Sequence, residues 1–105
     1  MYTVGQAKKI VYDYVNRPKK YNYPDQPNYE LIVDLAEEKP YGWIFDYQTK
    51  KFVETKDIRF AAIGTSPIIF EKETGRLVLL SSARHPEYYI ELYEKGEWNC
   101  YADEQ

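Results

Sequence analysis

Apolar residues recur at three- and four-residue intervals from Val4 through Ala7, Ile10, Val11 and Tyr14 to Val15, the stripe of an amphipathic helix. Thr3 precedes this stripe and Gln6 follows it by three positions, which predicts a capping box at the helix start. Pro18 comes just after Asn16 and Arg17 and ends the pattern. From Pro18 to Pro27 the chain carries three prolines and no period, so this stretch reads as a loop. Tyr29, Leu31, Val33 and Leu35 then alternate with Glu30, Ile32, Asp34 and Ala36, the repeat of a half-buried strand. After a turn placed at Glu37 to Pro40, Tyr41, Trp43, Phe45 and Tyr47 take one face of a second strand, with Gly42, Ile44, Asp46 and Gln48 on the other. The two strands form a hairpin.

Residues 49 to 55 either extend that sheet or form a short third strand, and the apolar residues between Asp57 and Gly64 are expected to tuck against the core. Pro67 opens a strand, a position that tolerates its missing donor. Ile68 to Phe70 and Leu77 to Leu80 flank the link Glu71-Lys72-Glu73-Thr74-Gly75, the pattern of a hairpin closed by a left-handed glycine. Both runs are apolar on both faces, which places them centrally in the sheet with a helix over the second face. Pro86 fits the first turn of another helix, along which Tyr88, Tyr89, Leu92 and Tyr93 lie at helical spacing until Lys95 and Gly96 stop it. Trp98 and Tyr101 in the tail cover an edge or add a short strand, and Asp103 to Gln105 fray. The fold class is therefore α+β: an antiparallel meander sheet of four or five strands packed by an N-terminal and a C-terminal helix, with one face on the helices. A chain of 105 residues holds one such domain, residues 1–105.

Composition changes this picture in one respect. Twelve Tyr, two Trp and four Phe give either a core margin rich in rings or a rigid contact surface for a partner. The formal charge of -3 provides no general attraction to nucleic acid or to anionic lipid. A single cysteine, Cys100, excludes an intrachain disulfide and a thiolate metal cluster. No apolar run approaches the roughly 18 residues of a membrane span, and no signal peptide is recognised, so a cytoplasmic location is expected.

Catalytic chemistry finds little to work with. His85 is the one imidazole, and Ser81 or Ser82 stand too close along a turning chain to converge on it as a triad. Glu71 and Glu73 flank a hairpin turn and are expected to face water; Glu87 and Glu91 share a helix surface where solvent relieves their repulsion. The glycines are scattered, with no phosphate-cradling turn. No catalytic, cofactor-binding or metal-binding residues are assigned. The candidates that remain are for protein binding: Trp43, a core anchor or the floor of a recognition groove; Arg84 and His85 at a helix start; Tyr88 and Tyr93 on the Tyr-rich helix; and Trp98 in the tail.

The segments Tyr41-Gly42-Trp43-Ile44-Phe45, Phe52-Val53-Glu54-Thr55 and Gly64-Thr65-Ser66-Pro67-Ile68-Ile69-Phe70-Glu71-Lys72-Glu73-Thr74-Gly75, followed by Pro86 opening an acidic, Tyr-rich helix, together resemble the immunity protein 35 family and its YrhB-like branch. The resemblance runs from Thr3 to about Glu94. It implies a small bacterial α+β protein that neutralises a cognate toxin by direct stoichiometric binding; the YrhB-like branch implies the alternative of a chaperone or holdase for unfolded proteins. Glu71 stands where the family usually has Asp, which keeps the charge. The proline-containing loop and the tail at Trp98 and Tyr101 depart from the family pattern. The resemblance carries over no catalytic residue.

Overall fold

The computed structural model describes residues 1–17, 29–62 and 65–102 of the chain. Helix α1 spans Val4–Val15, and its start is the capping box read from the sequence: the Thr3 hydroxyl accepts from the Gln6 amide while the Gln6 side chain accepts from the Thr3 amide. Ala7, Val11 and Val15 are its buried stripe. At the C-terminal end the Asn16 side chain both accepts from the Leu31 amide and donates to the Leu31 carbonyl, each at 2.8 Å. One amide side chain thus satisfies both backbone groups of a strand residue and locks the end of the helix to the start of the sheet. The loop expected at Pro18 to Pro27 lies outside the described residues.

Strands β1 (Leu31–Lys39), β2 (Gly42–Thr49), β3 (Ile68–Glu71) and β4 (Leu77–Leu79) pair antiparallel in chain order. The first hairpin is tighter than the sequence implies: Lys39 pairs with Gly42, so only Pro40 and Tyr41 make the turn. The strand reaches further because a bulge between Leu35 and Glu37 absorbs one residue and lets Glu37, Glu38 and Lys39 resume pairing. Gly42 lies opposite Glu71, where a side-chain carbon would run into the Phe70 carbonyl; the close approach of two backbones requires glycine there. Beyond β4, Leu79 donates to the Cys100 carbonyl and Ala102 to the Leu77 carbonyl. The tail thereby covers the outer edge of β4 through a bridge between Val78 and Tyr101, one of the two roles expected for it.

Two local expectations are corrected. Residues 50–55 are neither an extension of the sheet nor a strand but a short helix, α2 (Lys50–Thr55). Thr49 decides this: its hydroxyl accepts from the Phe52 amide as an N-cap and donates to the Phe60 carbonyl at 2.6 Å. Nor does Ile58 tuck into the core, since it is 75% exposed on a single 3-10 turn, Ile58–Phe60, that Asp57 caps through the Arg59 amide. Ile63 and Gly64 lie outside the described residues.

The layering corrects one further point. Helix α1 and helix α3 (Pro86–Glu94) do not share a face; they sandwich the sheet. Val33, Trp43, Phe45, Ile68, Phe70 and Leu77 point toward α1, while Ile44, Ile69, Val78 and Leu80 pack with Tyr89 of α3. The alternation of β2 and the two-sided apolar runs of β3 and β4 produce this result, because each strand sends successive side chains to opposite faces. Phe45, Ile69, Phe70 and Val78 lie fully buried between the layers, each contributing roughly 1.5 to 3 kcal/mol of burial. The chain is an α+β fold in which a four-stranded antiparallel sheet is flanked by an N-terminal and a C-terminal helix.

Candidate protein-binding surface

The start of α3 gathers three of the six residues singled out from the sequence. His85 is the N-cap, its Nδ1 accepting from the Glu87 amide at 3.3 Å, and Pro86 follows at the first helical position, where no donor is needed. Arg84 lays its guanidinium over the Tyr88 ring, 4.8 Å from the centroid. Tyr88 meets Tyr89 edge-on at 5.1 Å, and Tyr89 leans on Trp98 at 4.7 Å. Trp98 is itself fixed, since its indole N–H donates to the Leu79 carbonyl at 2.9 Å. A continuous run of rings therefore passes from an exposed end, Tyr88 at 43% exposure, through the buried Tyr89 at 6% to the half-buried Trp98. The exposed rings are braced from behind, so a partner meeting them orders few side chains.

Trp43 and Tyr93 lie apart from that patch. Trp43 is on the α1 face, 7% exposed, tilted against Phe70 and roofed by the Lys72 ammonium 5.2 Å from its centroid; this is the environment of a core anchor. Tyr93 donates its hydroxyl at 2.6 Å to Glu71. Glu71 is the residue whose environment differs most from expectation. Instead of facing water beside the turn, its side chain is 12% exposed and accepts from four donors. One oxygen takes the hydroxyls of Tyr93 at 2.6 Å and Tyr101 at 3.1 Å, and the other takes the Thr74 hydroxyl at 2.7 Å and the Arg76 Nε at 3.2 Å. Burial alone would push this carboxyl up, but the hydrogen bonds from Tyr93, Thr74 and Tyr101, with the Arg76 charge, outweigh it and hold the group below the usual carboxylate range. Glu73, by contrast, is exposed as expected.

A second carboxylate repeats the arrangement next door. Glu94 accepts from the Tyr41 hydroxyl at 2.8 Å and lies 3.4 Å from Lys39, which also meets Glu37 at 2.8 Å. The rings of Tyr41 and Tyr93 pack edge to face at 5.0 Å and join the two clusters. Burial, followed by the bond to its carboxylate, pushes each of these two phenols well above the usual tyrosine range. Between them opens a cleft of about 470 Å³, bounded by the Pro40-Tyr41 turn, the Glu71 to Arg76 hairpin and Tyr93. The two tyrosine partners of Glu71 lie 22 and 30 residues away along the chain. The only local signal was Thr74 and Arg76 beside a glycine turn, too common a pattern to mark a buried acid.

The family model for immunity protein 35 matches residues 6–92. This chain belongs to that family. Among related proteins, the "Uncharacterized protein YrhB" of Escherichia coli (strain K12) is 29% identical over 76 residues, covering 72% of this chain and 81% of its own length. No solved structure matches. The stretch shared with the immunity protein 35 family holds Trp43, Glu71, Arg84, His85 and Tyr88, whereas Tyr93, Trp98 and Tyr101 fall beyond it. Part of the bracing behind the exposed patch is thus supplied by the segment that follows the family match. Among the described residues there is no group of three or more His, Cys, Asp or Glu side chains placed to hold a metal ion, and no helix is long and apolar enough to cross a membrane.

Proposed function

We propose that this immunity protein 35 family member neutralises a cognate bacterial toxin by direct, stoichiometric binding in the cytoplasm, with Arg84, His85 and Tyr88 on its contact surface. Family membership over residues 6–92 is the observation that carries the reading. The geometry at the start of α3 supports it: an arginine stacked on an exposed tyrosine is a pairing of the residue types that dominate binding hot spots, with Tyr88 in the first turn of the helix and Arg84 in the bend just before its cap. The net charge of -3 favours encounter with a basic partner.

The test is a search of the neighbouring genes for a secreted toxin domain and co-expression of this protein with it. The expected outcome is rescue of growth and a one-to-one complex in solution. Changing Arg84 and Tyr88 together to Ala should weaken that complex by roughly 30-fold or more while the melting temperature stays near that of the parent. The reading fails if the protein gives no rescue and instead suppresses heat aggregation of unrelated clients equally well, the behaviour of a holdase.

A further inference from the structure

We propose that the cleft between the Pro40-Tyr41 turn and the β3–β4 hairpin is a socket for one basic side chain of a protein partner, an arginine by preference. The inference deepens the reading above, on which it rests for the kind of partner, and it concerns a different part of the surface from the Arg84 and Tyr88 patch.

The chemistry of the lining selects the occupant. Tyr41 and Tyr93 give their hydroxyl protons to Glu94 and Glu71 at 2.8 and 2.6 Å, so what each phenol has left to offer is an oxygen lone pair. Glu73 adds an exposed carboxylate at the rim. Among the described residues Arg76 is the one cation on the lining; it gives one N–H to the Glu71 carboxylate at 3.2 Å and one to the Tyr101 hydroxyl at 3.3 Å and lies 4.0 Å from the Tyr101 ring centroid, which turns part of its charge toward its own acceptors. The opening thus carries two carboxylates, Glu71 and Glu73, against the single charge of Arg76, together with phenol oxygens and ring surfaces. A guanidinium supplies the complement: five donors, a positive charge and a flat face that packs on tyrosine. A volume of about 470 Å³ is within the range of sites that enclose a small ligand and more than one side chain requires.

The experiment is amide NMR of the full chain titrated with N-acetyl-arginine methylamide, with the uncharged N-acetyl-citrulline methylamide as control. The expected result is saturable shifts confined to the amides of Tyr41, Glu73, Thr74, Arg76 and Tyr93, with a dissociation constant of about 1 to 10 mM, the range open to so small a ligand, and no saturation by the citrulline probe. Glu73→Gln combined with Tyr41→Phe, whose unchanged amide spectrum elsewhere would report an intact fold, should weaken the arginine probe at least about tenfold. Equal response to both probes, absence of saturation, or full binding by the double variant would overturn the socket. Each of these results leaves toxin binding through the α3 patch standing, whereas a chain that takes the arginine probe but rescues no toxin refutes the immunity reading alone.

Discussion

Replacing Glu71 with Gln tests whether the buried carboxylate, rather than the surrounding rings, fastens α3 and the tail to the second hairpin. The substitution keeps the shape and one acceptor oxygen but places an amide NH2 where a carboxylate oxygen now receives the Tyr93 and Tyr101 hydroxyls at 2.6 and 3.1 Å. A hydrogen bond to a charged group contributes about 1.5 to 3 kcal/mol, against about 1 for a neutral one. The Arg76 ion pair at 3.2 Å is half exposed on the arginine side and adds less than about 1 kcal/mol. The loss should therefore be about 2 kcal/mol at neutral pH, which with a urea slope of about 1.5 kcal/mol per M moves the unfolding midpoint down by about 1.3 M. The sign of the pH dependence follows from the depressed carboxyl. Its stabilisation is complete above the carboxylate's unfolded pKa of about 4.3 and disappears as pH falls through the lower folded value. The gap between parent and E71Q should therefore narrow as pH falls below the unfolded value of about 4.3. A double-mutant cycle with Tyr93→Phe should return a coupling of about 1 kcal/mol. Midpoints that agree within about 0.3 M at pH 7, or a gap unchanged in acid, would show that the ionised carboxylate is not the fastener.

Three further changes probe the rest of the fold. Trp43→Ala should cost about 3 to 5 kcal/mol, a large part of a small domain's stability; a thermal melt moved by only a few degrees would mean that the indole is not packed as the structure has it. Gly75 has a φ of 76° and a side-chain carbon there would lie 2.6 Å from the Tyr2 ring, so Gly75→Ala should lose more than the roughly 1 to 2 kcal/mol of left-handed strain; in a Tyr2→Ala background, calorimetry should recover the excess and leave the strain. Asp46 stands directly across from Asp34 on neighbouring strands; the residue is exposed, and partial shielding of its carboxyl from solvent, with the Asp34 charge, raises that carboxyl. The folded chain therefore holds that proton more tightly than the unfolded one. The repulsion is absent in acid and fully present once pH exceeds the folded value, so Asp46→Asn should stabilise by about 0.5 kcal/mol at pH 7 and by nothing near pH 3; urea titrations at the two pH values distinguish this from a uniform effect.

The parts of the fold that the sequence made legible are those set by neighbours in the chain. The Thr3 and Gln6 box, the alternation of β2, the Gly75 turn and the Pro86 start each need only a few adjacent residues to identify them, because periodicity and capping are local physics. Residues 49 to 55 depart from their local pattern for a related reason: Phe52 and Val53 favour a strand by type, and what makes the segment helical is the Thr49 hydroxyl, which caps it and is engaged by Phe60 eleven positions later. Glu71 is the extreme case, an acid beside a turn that local rules place in water and that distant tyrosines draw inward.

That distinction also separates the two sides of the sheet. The α1 side is centred on Ala7, Val11, Val15, Phe45 and Phe70, with Trp43 among them and Tyr12, Tyr14 and Tyr47 at its margin, so its polar ring tips sit at the rim, where the Tyr12 hydroxyl donates to Glu30. The α3 side is packed by tyrosines and a tryptophan, each with an apolar ring and a polar tip. Tips that cannot be left unpaired must find acceptors, and they find Glu71, Glu94 and the Leu79 carbonyl. The same amphipathic rings that fasten this helix reach the surface at Tyr88, at Tyr41 and around the cleft. A side of the molecule built this way needs no separate device for recognition, since the residues that finish the core also supply rigid rings and directed oxygens to whatever docks there. Both the proposed toxin contact and the proposed arginine socket fall on the α3 side for this reason, while on the α1 side Trp43 is packed into the core at 7% exposure.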